Sequence, residues 1–160
     1  DDRGVWTRLF ACLVYFLPLT DGLQFGFPLV EMFPDLAPLF LLLAVPSAII
    51  GTIPFGSLIC FVGLTVCANN RELPRLLRFN AQQAVLLDVF LFIPSIFFSL
   101  VSTLFGAGVG DIVEDLGYVS FVVLLAAVTY SVVSTAFGQD PDALPVVSDA
   151  TKRGIDRPPF

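Results

Sequence analysis

The chain has 160 residues, of which 56% are hydrophobic and only 14% charged, and its mean hydropathy is +0.88. That balance excludes an ordinary soluble domain and indicates an integral membrane protein with a few spanning helices of roughly 20 residues each. The net charge of −6 says little about orientation, which depends on where lysine and arginine sit.

Histidine is absent, and the three cysteines, Cys12, Cys60 and Cys67, all fall in apolar runs. Neither a disulfide framework nor a zinc or haem site is expected from such a set, and no cofactor is expected. The cysteines read as small packing residues. The sequence begins at Asp1 rather than methionine, so a removed targeting peptide is an expectation.

The first apolar run, residues 5–20, carries Trp6 and Arg8 near one boundary and Pro18 near the other. It is predicted to cross the membrane, although it is short for a hydrocarbon core of ~30 Å. A turn follows at Asp21 and Gly22, then a stretch with Pro28, Pro34 and Pro38 that does not suit a regular helix. From residue 36 to 68 there is no charge. Residues 36–48 read as a re-entrant or interfacial apolar segment and residues 49–68 as the second crossing. Gly56, Cys60, Gly63 and Cys67 give that crossing a stripe of small side chains, suited to close helix packing.

The segment RELPRLLRFNAQQAVLLD, residues 71–88, follows as a basic loop that turns into a helix near Pro74. The third crossing is predicted over residues 83–104, with a kink at Pro94. Its phenylalanines read as lipid-facing or core-filling. The connection FGAGVGDIVEDLG is glycine-rich and acidic, and it reads as a flexible turn rather than a phosphate cradle, because it has no lysine and no preceding strand. The fourth crossing covers residues 119–137, with Ala127, Ser131 and Thr135 on one small-residue face. Residues 138–160 read as an extended polar tail. The fold class is therefore all-α, a single domain of four transmembrane helices plus the re-entrant or interfacial segment.

The basic residues support this count. Arg3 and Arg8 precede the first crossing, Arg71, Arg75 and Arg78 lie between the second and third, and Lys152, Arg153 and Arg157 lie in the tail. The two remaining water-facing regions hold only acids: Asp21, Glu31 and Asp35 in one, and Asp111, Glu114 and Asp115 in the other. Alternation of this kind places both termini on the compartment where the basic loops are retained.

Candidate functional residues follow from depth and face. On a helix, Asn80, Gln83 and Asp88 share one side, with Arg75 and Arg78 at its start. The bland reading has these groups hydrogen-bonding to neighbouring helices and fixing the bundle. The sharper one makes them a hydrated passage or a subunit contact, as intramembrane acids often are. A proton relay through Asp88 lacks a second embedded carboxylate or histidine. Serines occur in the spans without a histidine or paired carboxylates, so no enzyme is expected.

The runs RLLRFNAQQAVLLD, YFLPLTDGLQFG, IPF and GQDPDALPVVSDA resemble the twenty-kilodalton subunit family of TIC, the protein translocon of the chloroplast inner envelope. The resemblance covers nearly the whole chain. It implies a four-span subunit of the translocon core that helps to form the path of preproteins into the stroma, with both termini stromal. It also implies partners: other TIC subunits including a large plastid-encoded one, the outer-envelope TOC assembly, translocating preproteins and membrane lipid, but no nucleic acid. Asp111, Glu114 and Asp115 are then a candidate acidic face for basic transit peptides. The rival reading is a small-molecule or ion transporter with a polar site around Asp88, and a third is a scaffold that anchors soluble partners through its tail.

Overall fold

A computed structural model describes residues 3–157, and among them every regular element is helical. The order is α1 (Val5–Leu13), α2 (Phe16–Gly22), α3 (Phe27–Met32), α4 (Ala37–Thr52), α5 (Gly56–Asn69), α6 (Arg75–Phe105), α7 (Gly110–Ala136) and α8 (Val147–Ile155). Residues 158–160 of the tail lie outside the described residues. Three helical stretches, Pro34–Thr52, Arg75–Phe105 and Gly110–Ala136, are long and apolar enough to cross a membrane; Gly56–Asn69 is apolar but shorter.

Residues 5–20 form two helices rather than one. Pro18 lacks the amide that would bond to the carbonyl of Val14, and the chain breaks at Val14 and Tyr15. The sequence reading of residues 49–68 as one crossing, after an apolar segment ending at residue 48, does not hold either. Helix α4 continues through Pro46 to Thr52, and the break falls at 53–55. Pro54 pushes Ile53 into an extended conformation (φ −94°, ψ 126°), as a proline does to the residue before it. Phe55 is then left-handed (φ 57°), and at Gly56 a Cβ would lie 2.1 Å from the carbonyl oxygen of Ile50, so only glycine fits there.

Helix α6 is the axis of the fold and packs against α1, α2, α5, α7 and α8. The core joins Val14 and Tyr15 to Leu23, Leu29, Phe40 and Leu43, and these to Ala84, Leu87 and Leu91 of α6 and Phe121, Leu124 and Val128 of α7. Residues 22–26 lie hard against α7: a Cβ on Gly26 would sit 2.8 Å from the rings of Phe121 and Phe40. Helix α4 touches Phe121 near its start and the α5 terminus near its end.

Outer faces are apolar. Leu41, Leu42, Val45 and Ile49 of α4, Val62 and Val66 of α5, and Phe92, Ile93, Ile96 and Phe97 of α6 are all exposed. Phe98 instead turns inward, edge-on to Phe25 at 5.9 Å. In the small-residue stripe of α5, Gly56 is buried but Gly63 faces open space. The acidic connection is helical rather than a turn, because α7 begins at Gly110. The tail is extended only as far as residue 146; beyond it α8 packs on α6 with Ser148, Thr151 and Ile155 inward.

Candidate functional site

The basic segments meet at one end of the bundle, around the tail. Arg75 pairs with Asp140 through Nη1 and with Asp156 through Nη2 at 3.0 Å, while its guanidinium lies 5.9 Å from the Phe79 ring. Arg3 pairs with Asp140 at 3.1 Å and donates to the Gly138 carbonyl at 2.8 Å. Arg78 donates to the carbonyls of Ala68 (3.3 Å) and Ile155 (3.0 Å), and Arg8 to that of Ala136 (3.3 Å). Those carbonyls lie in the last turns of α5, α8 and α7, where unbonded oxygens and the helix dipole favour a cation. Arg71 adds a bond to the Arg157 carbonyl at 2.6 Å.

Below this end, Asn80 and Gln83 are fully buried and saturated with partners. Tyr15 donates to Asn80 Oδ1 at 2.6 Å and Thr135 to the same oxygen at 2.9 Å, while Asn80 Nδ2 donates to the Leu76 carbonyl at 2.8 Å. Gln83 Nε2 donates to Ser131 Oγ and to the Pro141 carbonyl, each at 3.0 Å, and Gln83 Oε1 accepts from Ser148 Oγ at 2.9 Å. Two amides on α6 thereby join the break between α1 and α2, α7 and the tail. Of the candidate residues, Asn80 and Gln83 are bundle-fixing groups and Arg75 and Arg78 are clamps on the tail.

Asp88 stands apart from them. It is 2% exposed, and its Oδ1 is buried without a hydrogen-bond partner. It lines a cavity of about 600 Å³ enclosed by α2, α4, α5 and α6, together with Thr20, Asp21, Ser47, Ser57 and the apolar Phe61 and Phe92. Asp21, in the last turn of α2, faces Asp88 and accepts a hydrogen bond from Ser57 Oγ at 2.8 Å. The sequence reading assigns Asp21 to a water-exposed turn and leaves Asp88 without a second carboxylate; the fold supplies one. No local pattern marks that pairing, since it depends on how far α2 reaches along α6.

Asp111, Glu114 and Asp115 are exposed in the first two turns of α7. Negative charge is favourable there against the helix dipole. Glu114 also borders a smaller cavity of about 300 Å³ with Gln24, Phe25 and Phe27.

Long apolar helices and outward-facing aliphatic side chains define an all-helical membrane protein. The chain belongs to the family described as "Chloroplast import apparatus Tic20-like", whose sequence profile matches residues 3–151. It is 30% identical over 156 residues to Protein TIC 20-v, chloroplastic, of Arabidopsis thaliana, covering 97% of this chain and 74% of that one. It is 32% identical over 150 residues to Protein TIC 20-II, chloroplastic, of the same plant, covering 92% and 72%. A Tic20 family protein of Synechocystis sp. is 30% identical over 145 residues, covering 89% of each chain. No solved structure matches.

Proposed function

We propose that the chain is a core membrane subunit of the chloroplast inner-envelope translocon, helping to form the path by which preproteins enter the stroma. The observation that carries this reading is the family match over residues 3–151, beside two chloroplastic relatives named TIC 20. In this reading the chain crosses the membrane four times with both termini in the stroma. The convergence of Arg3, Arg75, Arg78 and the tail at one end supports that orientation, because arginine-rich ends are retained where the chain is inserted from. Too few helices are present to enclose an extended polypeptide, so other TIC subunits, among them a large plastid-encoded one, supply further walls. The TOC assembly delivers the preprotein, and no catalytic role is proposed.

The exposed acids Asp111, Glu114 and Asp115 face the side from which basic transit peptides arrive. Site-specific crosslinking of an arrested preprotein tests the reading: crosslinks to this chain are expected, and they should weaken several-fold when the three acids are replaced by asparagine or glutamine. A chain that never crosslinks to the preprotein in functional envelopes would refute it. The cavity at Asp88 favours a second reading, a transporter of small solutes. Purified protein that alone exchanges a defined solute across liposomes would establish that reading instead.

A further inference from the structure

We propose that the cavity between α2, α4, α5 and α6 is a binding site for one arginine side chain of a polypeptide, with the guanidinium held between the carboxyls of Asp21 and Asp88. The choice of a polypeptide as occupant rests on the function proposed above; the choice of a guanidinium rests on the cavity itself.

Asp88 presents a buried oxygen that none of the described residues satisfies, on the wall of an open space. A carboxyl oxygen in that position costs a large desolvation penalty unless a donor reaches it. Asp21, itself only half-buried, brings a second carboxyl to the same place, and two such groups facing each other need either a shared proton or a cation between them. Among the described residues no lysine or arginine lines the cavity, so the cation comes from outside.

Size and chemistry select its type. At about 600 Å³ the space is roughly 20 times the ~30 Å³ share of one water, far more than a bare ion occupies. Among the described residues no three histidine, cysteine, aspartate or glutamate side chains gather to hold a metal. Ile50, Leu58, Phe61 and Phe92 offer apolar walls for an aliphatic stem, and two of them offer ring faces for its charge. The hydroxyls of Ser47 and Ser57 extend the acceptor set. A planar group with five donors and weak hydration fits two carboxyls and flanking hydroxyls better than a compact, strongly hydrated ammonium does. Targeting peptides are rich in arginine and poor in acids, which makes such a site useful on an import path.

The test uses the full chain in nanodiscs and a fluorescent apolar peptide carrying a single arginine, with the same peptide carrying neutral, isosteric citrulline as its control. Wild type should bind the arginine peptide at least about tenfold tighter, and Asp88→Asn and Asp21→Asn should each reduce that preference to within about twofold. Equal binding of the two peptides by wild type overturns the proposal, and so does binding of butylguanidinium as tight as that of the peptide. Should a variant fail to fold, a photocrosslinker at Leu58 of the otherwise unaltered chain reads the same preference. In envelopes, a preprotein crosslink to Leu58 that survives replacement of the preprotein's arginines by glutamine overturns this inference and leaves the proposed function standing. Loss of every preprotein crosslink while the arginine preference persists in nanodiscs removes the function and the polypeptide occupant together, leaving a guanidinium site.

Discussion

Gln83 is the residue whose loss most clearly separates the tail from the bundle. Its amide makes two donated bonds at 3.0 Å, to Ser131 and to the Pro141 carbonyl, and accepts one from Ser148 at 2.9 Å, all inside the protein. Gln83→Leu keeps the volume and removes all three. Buried bonds contribute about 0.5 to 1.5 kcal/mol each, so the expected loss is about 2 to 4 kcal/mol. Two of the three bonds tie down residues 141–148, so about two thirds of the loss is local: the opening equilibrium of α8 should rise by roughly 10- to 80-fold, since ~1.4 kcal/mol is tenfold. Hydrogen exchange on the amides of α8, in detergent or nanodiscs, measures this directly. Ser148→Ala should give a smaller change, since Ser148 shares its single hydrogen between Gln83 and the Pro141 carbonyl. Exposed Asp149→Asn should give a several-fold change at most, the ~0.3 to 1 kcal/mol of an acid in the first turn of a helix. Unchanged protection of α8 in Gln83→Leu would show that the arginine clamp alone holds the tail and that the buried amide is dispensable.

Three further outcomes follow from the packing. Gly26→Ala places a methyl 2.8 Å from two aromatic rings and should destabilise the protein by about 1 to 3 kcal/mol, read as a lower thermal midpoint in detergent, whereas Gly63→Ala, which meets open space, should not. The partly exposed Arg75–Asp156 pair should show a coupling of only about 0.2 to 1 kcal/mol in a double-mutant cycle, shrinking as salt is raised; a large, salt-independent coupling would contradict the geometry. In a chain with its native cysteines replaced by serine, labels at Glu72→Cys and Asp149→Cys should be accessible from one side of the membrane and a label at Asp115→Cys from the other, and labelling of residues 72 and 149 from opposite sides would overturn the four-span orientation.

Much of the basic end is legible in the sequence because its cause is local. Arginines flank apolar runs at positions fixed by chain order, and the last turns of neighbouring helices offer them carbonyls. The shared helical face of Asn80 and Gln83 is similarly available from their spacing, whereas the bonds of that face to Thr135 and Ser131 of α7 are visible only in the fold. Helix α8 is harder to see, because it is only nine residues long and mostly polar, with Ser148 and Thr151 beside Ile155 on its inward face. The signal present is Asp149 in the first turn with Lys152 and Arg153 in the last, the charge order that suits a helix dipole.

The misplaced break in the second apolar run and the missing partner of Asp88 have one origin. Pro46 and Pro54 look alike in sequence, yet α4 absorbs the first and stops at the second. What distinguishes them is tertiary: after Pro54 the left-handed Phe55 turns the chain so that Gly56 meets the carbonyl of Ile50, a contact no local pattern reveals. A single helix over residues 49–68 would run on along α6 past Asp88 and cover it. Because α4 stops at Thr52 and α5 begins at Gly56, which lines the same cavity as Asp88, the space between them stays open and α2 delivers Asp21 into it. The turn at 53–55 is therefore what creates the cavity, and restoring a continuous helix there would remove the site without touching either carboxylate.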